Sequence, residues 1–291
     1  MFKMRKAGLY SFIFLAAFAF CLWFYLYTNA PQGAGLLKVA FLSVGQGDSI
    51  YIEAPNGRQM LIDGGPRGSL IKPLASVMPV GDTSIDVVLL THPDADHYAG
   101  LVDLVKSYSI GTVIESGKTS NAKTYLELES LISDKQIPKI IARAGTRVDL
   151  DAAQGIVFTV LFPNGDVSKI PTNDASIVGR LVYKEDSVMF TGDAPIKTEN
   201  YLLSAYKTED LQSEILKVGH HGSRTSTSEA FLRAVQPTIA IISAGKDNKY
   251  GHPHQETLKK LAIFGIQPLV TKDKGTITFL SDGKAWKQAT K

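Results

Sequence analysis

The alternation of apolar and polar positions divides the chain into one long apolar run and a series of short periodic segments. From Gly8 to Tyr27 there is no charge, and Ser11 is the one clearly polar residue. A helix needs about 20 apolar residues to cross the hydrocarbon of a bilayer, and this run meets that length. Further on, the pattern predicts strands at Leu36–Ser43, Ser49–Glu53 and Gln59–Ile62, with turns at Gly45–Asp48 and Pro55–Arg58, an antiparallel meander. Asp86–Leu90 is a short Val/Leu strand of the kind buried on both faces. Beyond it, helices are predicted at Tyr98–Ser107, Ala122–Lys135, Pro195–Tyr206, Ser228–Ala234 and Gln255–Phe264. Strands are predicted at Thr112–Glu115, Lys139–Ala142, Gly155–Leu161, Ser176–Tyr183, Ser187–Thr191, Ile215–Val218, Ile239–Ile242 and Thr276–Leu280. Pro195 suits a first helical position, and Ser226-x-x-Glu229 matches a capping box. Many strands with helices between them predict an α/β protein with packed sheets and helices outside.

Charge gives the apolar run a direction. Lys3, Arg5 and Lys6 precede it, so the N-terminus is expected to stay cytoplasmic and the rest to lie outside the membrane. Trp23, Tyr25 and Tyr27 sit at the far end, where aromatic rings favour the interface. The alternative is a secretory signal peptide cleaved after Thr28-Asn29-Ala30; signal cores run about 7–15 residues, so the length favours an uncleaved anchor. The organisation expected is residues 1–30 as anchor or signal peptide, a linker at 31–35, and one domain over 36–291. The domain is neutral: the formal +3 comes from the three N-terminal bases, leaving 28 bases against 28 acids. No global field advertises a polyanionic partner, so any basic groove must be local. The single Cys21 lies in the apolar run. The domain therefore has no disulfide partner, and a metal would be held by histidine and carboxylate.

The six histidines, His92, His97, His220, His221, His252 and His254, fall in three short clusters, each in a loop after a predicted strand. Loops at strand ends are where an α/β scaffold places its working groups. In Thr91-His92-Pro93-Asp94-Ala95-Asp96-His97, Pro93 keeps the segment extended, so His92 and Asp94 can point one way. Asp96 and His97 can turn toward a second position, and one loop could serve two cations, an arrangement that activates water and stabilises a leaving oxygen. The plain alternative, a helix cap plus a polar loop, accounts for Asp96 alone. Asp193, in Thr191-Gly192-Asp193, could bridge two cations or merely cap a helix. Ser223, Arg224 and Thr225 form a polar loop suited to an oxyanion, or to capping only. His252, in a Gly- and Pro-marked loop, could protonate a leaving alkoxide or contact phosphate; His254 is expected to open the last helix.

Seven motifs stand in order: Val44-Gly45-Gln46-Gly47-Asp48-Ser49, Leu61-Ile62-Asp63-Gly64-Gly65, His92-Pro93-Asp94-Ala95-Asp96-His97, Asn173-Asp174-Ala175-Ser176, Thr191-Gly192-Asp193, Gly219-His220-His221-Gly222-Ser223 and Tyr250-Gly251-His252-Pro253. Together, over about residues 36–285, they resemble the metallo-β-lactamase-like domain of ComEC-type proteins, the DNA-uptake channels of naturally competent bacteria. The resemblance implies an αββα four-layer sandwich, here preceded by one N-terminal transmembrane helix. It also implies a two-metal site with His92 and Asp94 on one ion, Asp96 and His97 on the other, Asp193 bridging and His220 completing the second. Asp63 matches a carboxylate that organises the site, and His221 is either a ligand or a support. Asp94 stands where the superfamily has a histidine, and no histidine lies between His97 and His220; Asn173 or Asp174 is the expected substitute. Asp96 and His252 are the expected catalytic residues. Oxygen-rich ligation suits two divalent ions, Zn²⁺ or Mn²⁺, and tilts toward Mn²⁺.

The expected activity is metal-dependent hydrolysis of a phosphodiester, DNA first. One apolar span cannot conduct DNA, so a separate channel protein is an expected partner. Other extracellular phosphodiesters, such as choline-bearing wall polymers, remain open because the domain is neutral. Lactam or ester hydrolysis, and a tethered binding module with a degenerate site, are the remaining alternatives.

Overall fold

The strand pattern closes into two sheets. In the computed structural model, residues 6–28 and 35–290 are described, and the chain divides into two compact units, Met1–Ala34 and Gly35–Lys291. The described residues of the first unit form helix α1 (Lys6–Thr28). Among the described residues no helix is long and apolar enough to cross a membrane. The expected span at 8–27 takes in residues whose side chains lie outside the described ones, and the expected linker at 31–35 lies outside them except for Gly35.

In the second unit, β1 (Leu37–Phe41), β2 (Ile50–Glu53) and β3 (Gln59–Ile62) form the expected meander. The short α2 (Ile71–Ala75), β4 (Ser84–Leu90), α3 (Ala95–Ser107), β5 (Ser109–Glu115), α4 (Lys123–Asp134) and β6 (Lys139–Ile141) follow. The next segment holds β7 (Arg147–Asp151), β8 (Ile156–Phe162), β9 (Val178–Tyr183) and β10 (Asp186–Phe190). Then come α5 (Ile196–Ala205), α6 (Thr208–Leu211), β11 (Ile215–Lys217), α7 (Glu229–Val235) and β12 (Ile239–Ile242). The chain closes with α8 (Gln255–Ile263), β13 (Leu269–Val270), α9 (Thr271–Lys274), β14 (Ile277–Ser281) and β15 (Trp286–Gln288).

One sheet has the order β15-β14-β1-β2-β3-β4-β5-β6 and the other β13-β12-β11-β10-β9-β8-β7. Both are mixed: antiparallel through β15-β14-β1-β2-β3 and through β7-β8-β9-β10, then parallel on to β6 and to β13. A shared core between the sheets holds Phe41, Ile52, Phe158, Phe190, Ile215 and Ile277. A second core places Leu74 of α2, Leu101 of α3 and Leu128 of α4 on the outer face of the first sheet. A third places Leu202 of α5, Phe231 of α7 and Leu261 of α8 on the other. The result is the helix–sheet–sheet–helix layering that the alternating pattern implied.

Several local expectations change. β7, β13 and β15 were not expected: Arg147–Asp151 alternates charge with Val and Leu, and the other two are only two or three residues long at sheet edges. Helix α3 begins at Ala95, so Asp96 and His97 lie in its first turn rather than ahead of it. Pro195 is the N-cap residue of α5, extended at φ −78° and ψ 169°, not its first helical residue. The cap of α7 is Ser228, whose Oγ accepts from Phe231 N at 3.1 Å. Ser226 turns inward instead and donates to the Ala194 carbonyl, so the expected capping box does not form.

Candidate metal centre

The parallel strands all end at one edge, and the chemistry collects there. β3 runs into Asp63, β4 into Thr91–His97, β10 into Asp193, β11 into His220–His221 and β12 toward His252. Two glycines let these loops close up. A Cβ on Gly47 would lie 2.2 Å from the Asp96 carbonyl, and one on Gly100 would lie 2.1 Å from the Gly64 carbonyl. The turn after β1 can therefore press on the start of α3, and α3 on the loop after β3.

Asp63 is fully buried and holds its neighbours, and it shares a group with Asp48 and His97 whose ligand atoms lie within 4.8 Å of one another. Its Oδ1 accepts from Thr91 N at 2.8 Å and its Oδ2 from Thr91 Oγ1 at 2.7 Å. The same Oδ2 lies 2.8 Å from His97 Nδ1, which donates to it, and His97 Nε2 is turned into the site. His97 Nε2 is 3.4 Å from Asp193 Oδ1. His92 Nδ1 lies 3.0 Å from Thr91 Oγ1 and 3.3 Å from Ser176 Oγ, which leaves Nε2 3.6 Å from Asp94 Oδ2 and 3.9 Å from Asp193 Oδ2.

The opposite wall is built differently. His220 and His221 both have left-handed backbones, φ 47° and 54°, within a 3-10 turn at Gly219–Gly222. Non-glycine residues seldom hold such conformations, and here the turn aims two consecutive rings at the site. His221 Nδ1 lies 3.0 Å from the Ser243 carbonyl and 3.3 Å from Asp48 Oδ1. Its Nε2 is 3.4 Å from Asp96 Oδ2 and 3.5 Å from Asp193 Oδ2. Asp48 is itself held by Lys217 Nζ at 2.7 Å, and both side chains are buried, at 1% and 0% exposure. His220 Nε2 is 3.6 Å from Asp193 Oδ2, but its ring is a quarter exposed.

His92, His97 and Asp193 present ligand atoms within 4.8 Å of one another; so do Asp96, His97 and His221, and Asp48, Asp193 and His221. His221 therefore joins Asp96, the place expected of His220, which lies nearer Asn173: Asn173 Nδ2 is 3.4 Å from His220 Nε2. Asp174 faces Lys197 Nζ at 3.5 Å and belongs to none of these groups. Thr225 Oγ1 is 3.3 Å from His220 Nδ1 and 3.0 Å from Ser223 Oγ, so this loop borders the centre. Arg224 is exposed, and its backbone N–H donates to His254 Nδ1. Asp48 and Lys217 were not expected to matter. An acid in a turn is uninformative, but a lysine inside the apolar strand Ile215–Val218 was an available signal.

Buried Nε2 atoms of His92, His97 and His221 and Oδ1 of Asp193 have no hydrogen-bond partner. Buried polar atoms are almost always satisfied, so atoms left aimed at one another from imidazoles and carboxylates fit divalent cations. The charges agree. Burial alone would raise the Asp193 carboxyl, but His221 and His97 overcome it and hold it well below the usual range. Burial likewise opposes charge on His97 and His221, and the carboxylates Asp193, Asp63 and Asp48 prevail, raising both rings well above the ordinary histidine value. His252 goes the other way. Burial and the neighbouring His221, His220 and His254 push it down to about 4. These neighbours favour the uncharged ring, which can donate or accept a hydrogen bond.

A mixed α/β sandwich with a histidine–aspartate centre at its edge defines a class, and a family model confirms it. Residues 42–246 match the metallo-β-lactamase superfamily, and the chain belongs to that family. Its curated relatives include Competence protein ComA of Neisseria gonorrhoeae, 29% identical over 245 residues and covering 83% of this chain and 32% of that one. The chain is 30% identical over 260 residues to ComE operon protein 3 of Bacillus subtilis, covering 83% of this chain and 33% of that protein. It is 31% identical over 259 residues to Recombination protein 2 of Haemophilus influenzae, covering 87% of this chain and 30% of that one. It thus spans about a third of the length of these relatives. Among solved structures, Igni18, a metallo hydrolase of Ignicoccus hospitalis, superposes with a TM-score of 0.53 at 15% identity, covering 83% of this chain and 98% of that one. The long form of RNase Z from yeast does so at 0.50 and 10%, covering 85% and 42%. These two share the fold.

Proposed function

We propose that the chain is a metal-dependent phosphodiesterase that cleaves DNA, working outside the cytoplasm at a membrane. The observation that carries the reading is the set of buried, partnerless imidazole nitrogens around the Asp193 carboxylate. His92, Asp94, Asp96, His97, Asp193 and His221 would hold two divalent ions, Zn²⁺ or Mn²⁺, with His220 at the open side. Such ions supply Lewis acidity toward a phosphoryl group and a nucleophile at neutral pH. The chain's own residues keep the imidazoles in register: Asp63 fixes His97, Thr91 and Ser176 flank His92, and Asp48 with the Ser243 carbonyl fixes His221. His252 and Thr225 border the open side, placed to hydrogen-bond a phosphate oxygen.

DNA is the favoured substrate because the curated relatives include a recombination protein and a competence protein. A separate channel protein would then carry the strand. Tethering rests on the apolar run with its basic flank and on α1, whose Phe12, Phe14, Leu15 and Phe18 are exposed with no polar face to meet water. The test is to purify the full chain in detergent and assay Mn²⁺- or Zn²⁺-dependent cleavage of single- and double-stranded DNA and of bis-p-nitrophenyl phosphate. Asp193→Ala is expected to reduce cleavage to background and to abolish metal uptake. Unchanged activity in that variant would overturn the reading.

A further inference from the structure

The loop between β12 and α8 carries a feature the metal centre does not use. Residues 245–254 are tied down tightly for a loop. Asn248 Nδ2 donates to the Gly245 and His252 carbonyls, each at 2.8 Å, and Asn248 Oδ1 accepts from His252 N at 2.8 Å. Gln46, from the turn after β1, reaches across: Gly245 N donates to its Oε1 at 3.3 Å, and its Nε2 lies 3.5 Å from His252 Nδ1. On this braced loop Tyr250 stands out, 54% exposed. Its ring stacks on His252, with centroids 5.7 Å apart and planes at 21°. His252 in turn lies 5.4 Å from the His220 ring and 6.0 Å from the His221 ring. Lys249 Nζ sits 5.3 Å from the Tyr250 centroid, Lys246 is exposed nearby along the chain, and Arg224, whose backbone N–H donates to His254 Nδ1, is exposed too.

We propose that Tyr250 is a stacking platform for a nucleobase of the strand being cleaved, with Lys249 meeting its backbone. The inference rests on the phosphodiesterase reading of the same centre. The ring is held at a fixed tilt by the imidazole beneath it, with its other face open to solvent. Two ring contacts separate Tyr250 from His220, so a phosphate at the centre leaves an attached base within reach of the tyrosine. Aromatic side chains bind every base through its π face, which is tolerant of sequence and demands that the base be unpaired. Lys249 is on a long flexible stem; it can leave the ring for a phosphate at small cost, since an exposed cation–π contact is weak. A neutral domain can thereby hold a polyanion through stacking and a few local bases, without a general positive field.

The experiment measures binding and cleavage together. Fluorescence anisotropy gives Kd for a dye-labelled single-stranded oligonucleotide and for the same strand made abasic at successive positions, with Mn²⁺ present; KM is taken on the same strands. Wild type is expected to bind the base-bearing strand on the order of 10- to 100-fold more tightly than the strand abasic at one position. Tyr250→Ala should erase that difference, while Tyr250→Phe and Tyr250→Trp restore it, which a merely structural role of the hydroxyl or the loop would not do. Equal affinity of wild type for base-bearing and abasic strands, or a base preference that survives Tyr250→Ala, overturns the proposal. A base-dependent Kd without cleavage of any strand would instead sink the phosphodiesterase reading and leave the stacking site standing.

Discussion

Two loops supply the imidazoles of the centre, and they aim them by different physics. In Thr91–His97 the aim is local. An extended stretch ends at Asp94, the N-cap of α3, and the first helical turn points Asp96 and His97 inward. Long-range help comes from Asp63, a buried carboxylate that grips both Thr91 and His97, and from Ser176 beside His92. In Lys217–Thr225 the local backbone prefers nothing of the kind: two adjacent histidines occupy left-handed conformations, and a lysine is buried outright. That wall stands because Asp48, brought from the far sheet, pairs with Lys217 and receives His221. The first loop would keep much of its shape alone; the second exists only as part of the assembled sandwich.

This contrast can be broken in order of expected effect. Lys217→Met removes the cation that compensates Asp48 and leaves its carboxylate buried, so unfolding by denaturant should show a loss of about 3–5 kcal/mol. The double variant Lys217→Met, Asp48→Leu should recover much of that stability and still bind metal poorly, because His221 has lost a support. If Lys217→Met is as stable as wild type, the second wall does not depend on the pair. Asp63→Asn keeps the shape but cannot accept from Thr91 and His97 as the carboxylate does. Calorimetric titration should show metal affinity down by about 10- to 100-fold, the usual effect of losing a group that orients a ligand, with the fold intact by circular dichroism. Ser176→Ala is the mildest: Ser176 Oγ accepts from Asp193 N and lies beside His92 Nδ1. A loss of about 1 kcal/mol in stability and a severalfold weaker metal titration are expected, within the net worth of one hydrogen bond. An effect larger than that of Asp63→Asn would reverse the ranking of supports.

The same contrast explains which parts of the molecule could be read from residues alone. The meander, the buried β4 strand and the helices after it follow from hydrophobic period, and the Thr91–His97 ligands follow from density of ligand types within one loop. Asn173 and Asp174 show the limit. Both were candidates by position, yet the structure turns Asn173 toward His220 and Asp174 toward Lys197. The choice between His220 and His221 was equally closed to the sequence, since adjacent residues differ in aim only through φ and ψ.

By itself, then, the sequence determined the α/β layering, the apolar N-terminal run, the absence of cysteine from the domain and the chemical types available to a metal. Each of these depends on composition or on spacing along one segment. The tertiary structure alone decided that His221 faces Asp96, that Asp48 and Lys217 share a dry interior, and that Tyr250 stands braced beside the centre. Those outcomes depend on contacts between residues far apart in the chain, where burial makes an unpaired charge too costly to leave and so dictates which partner each group must find.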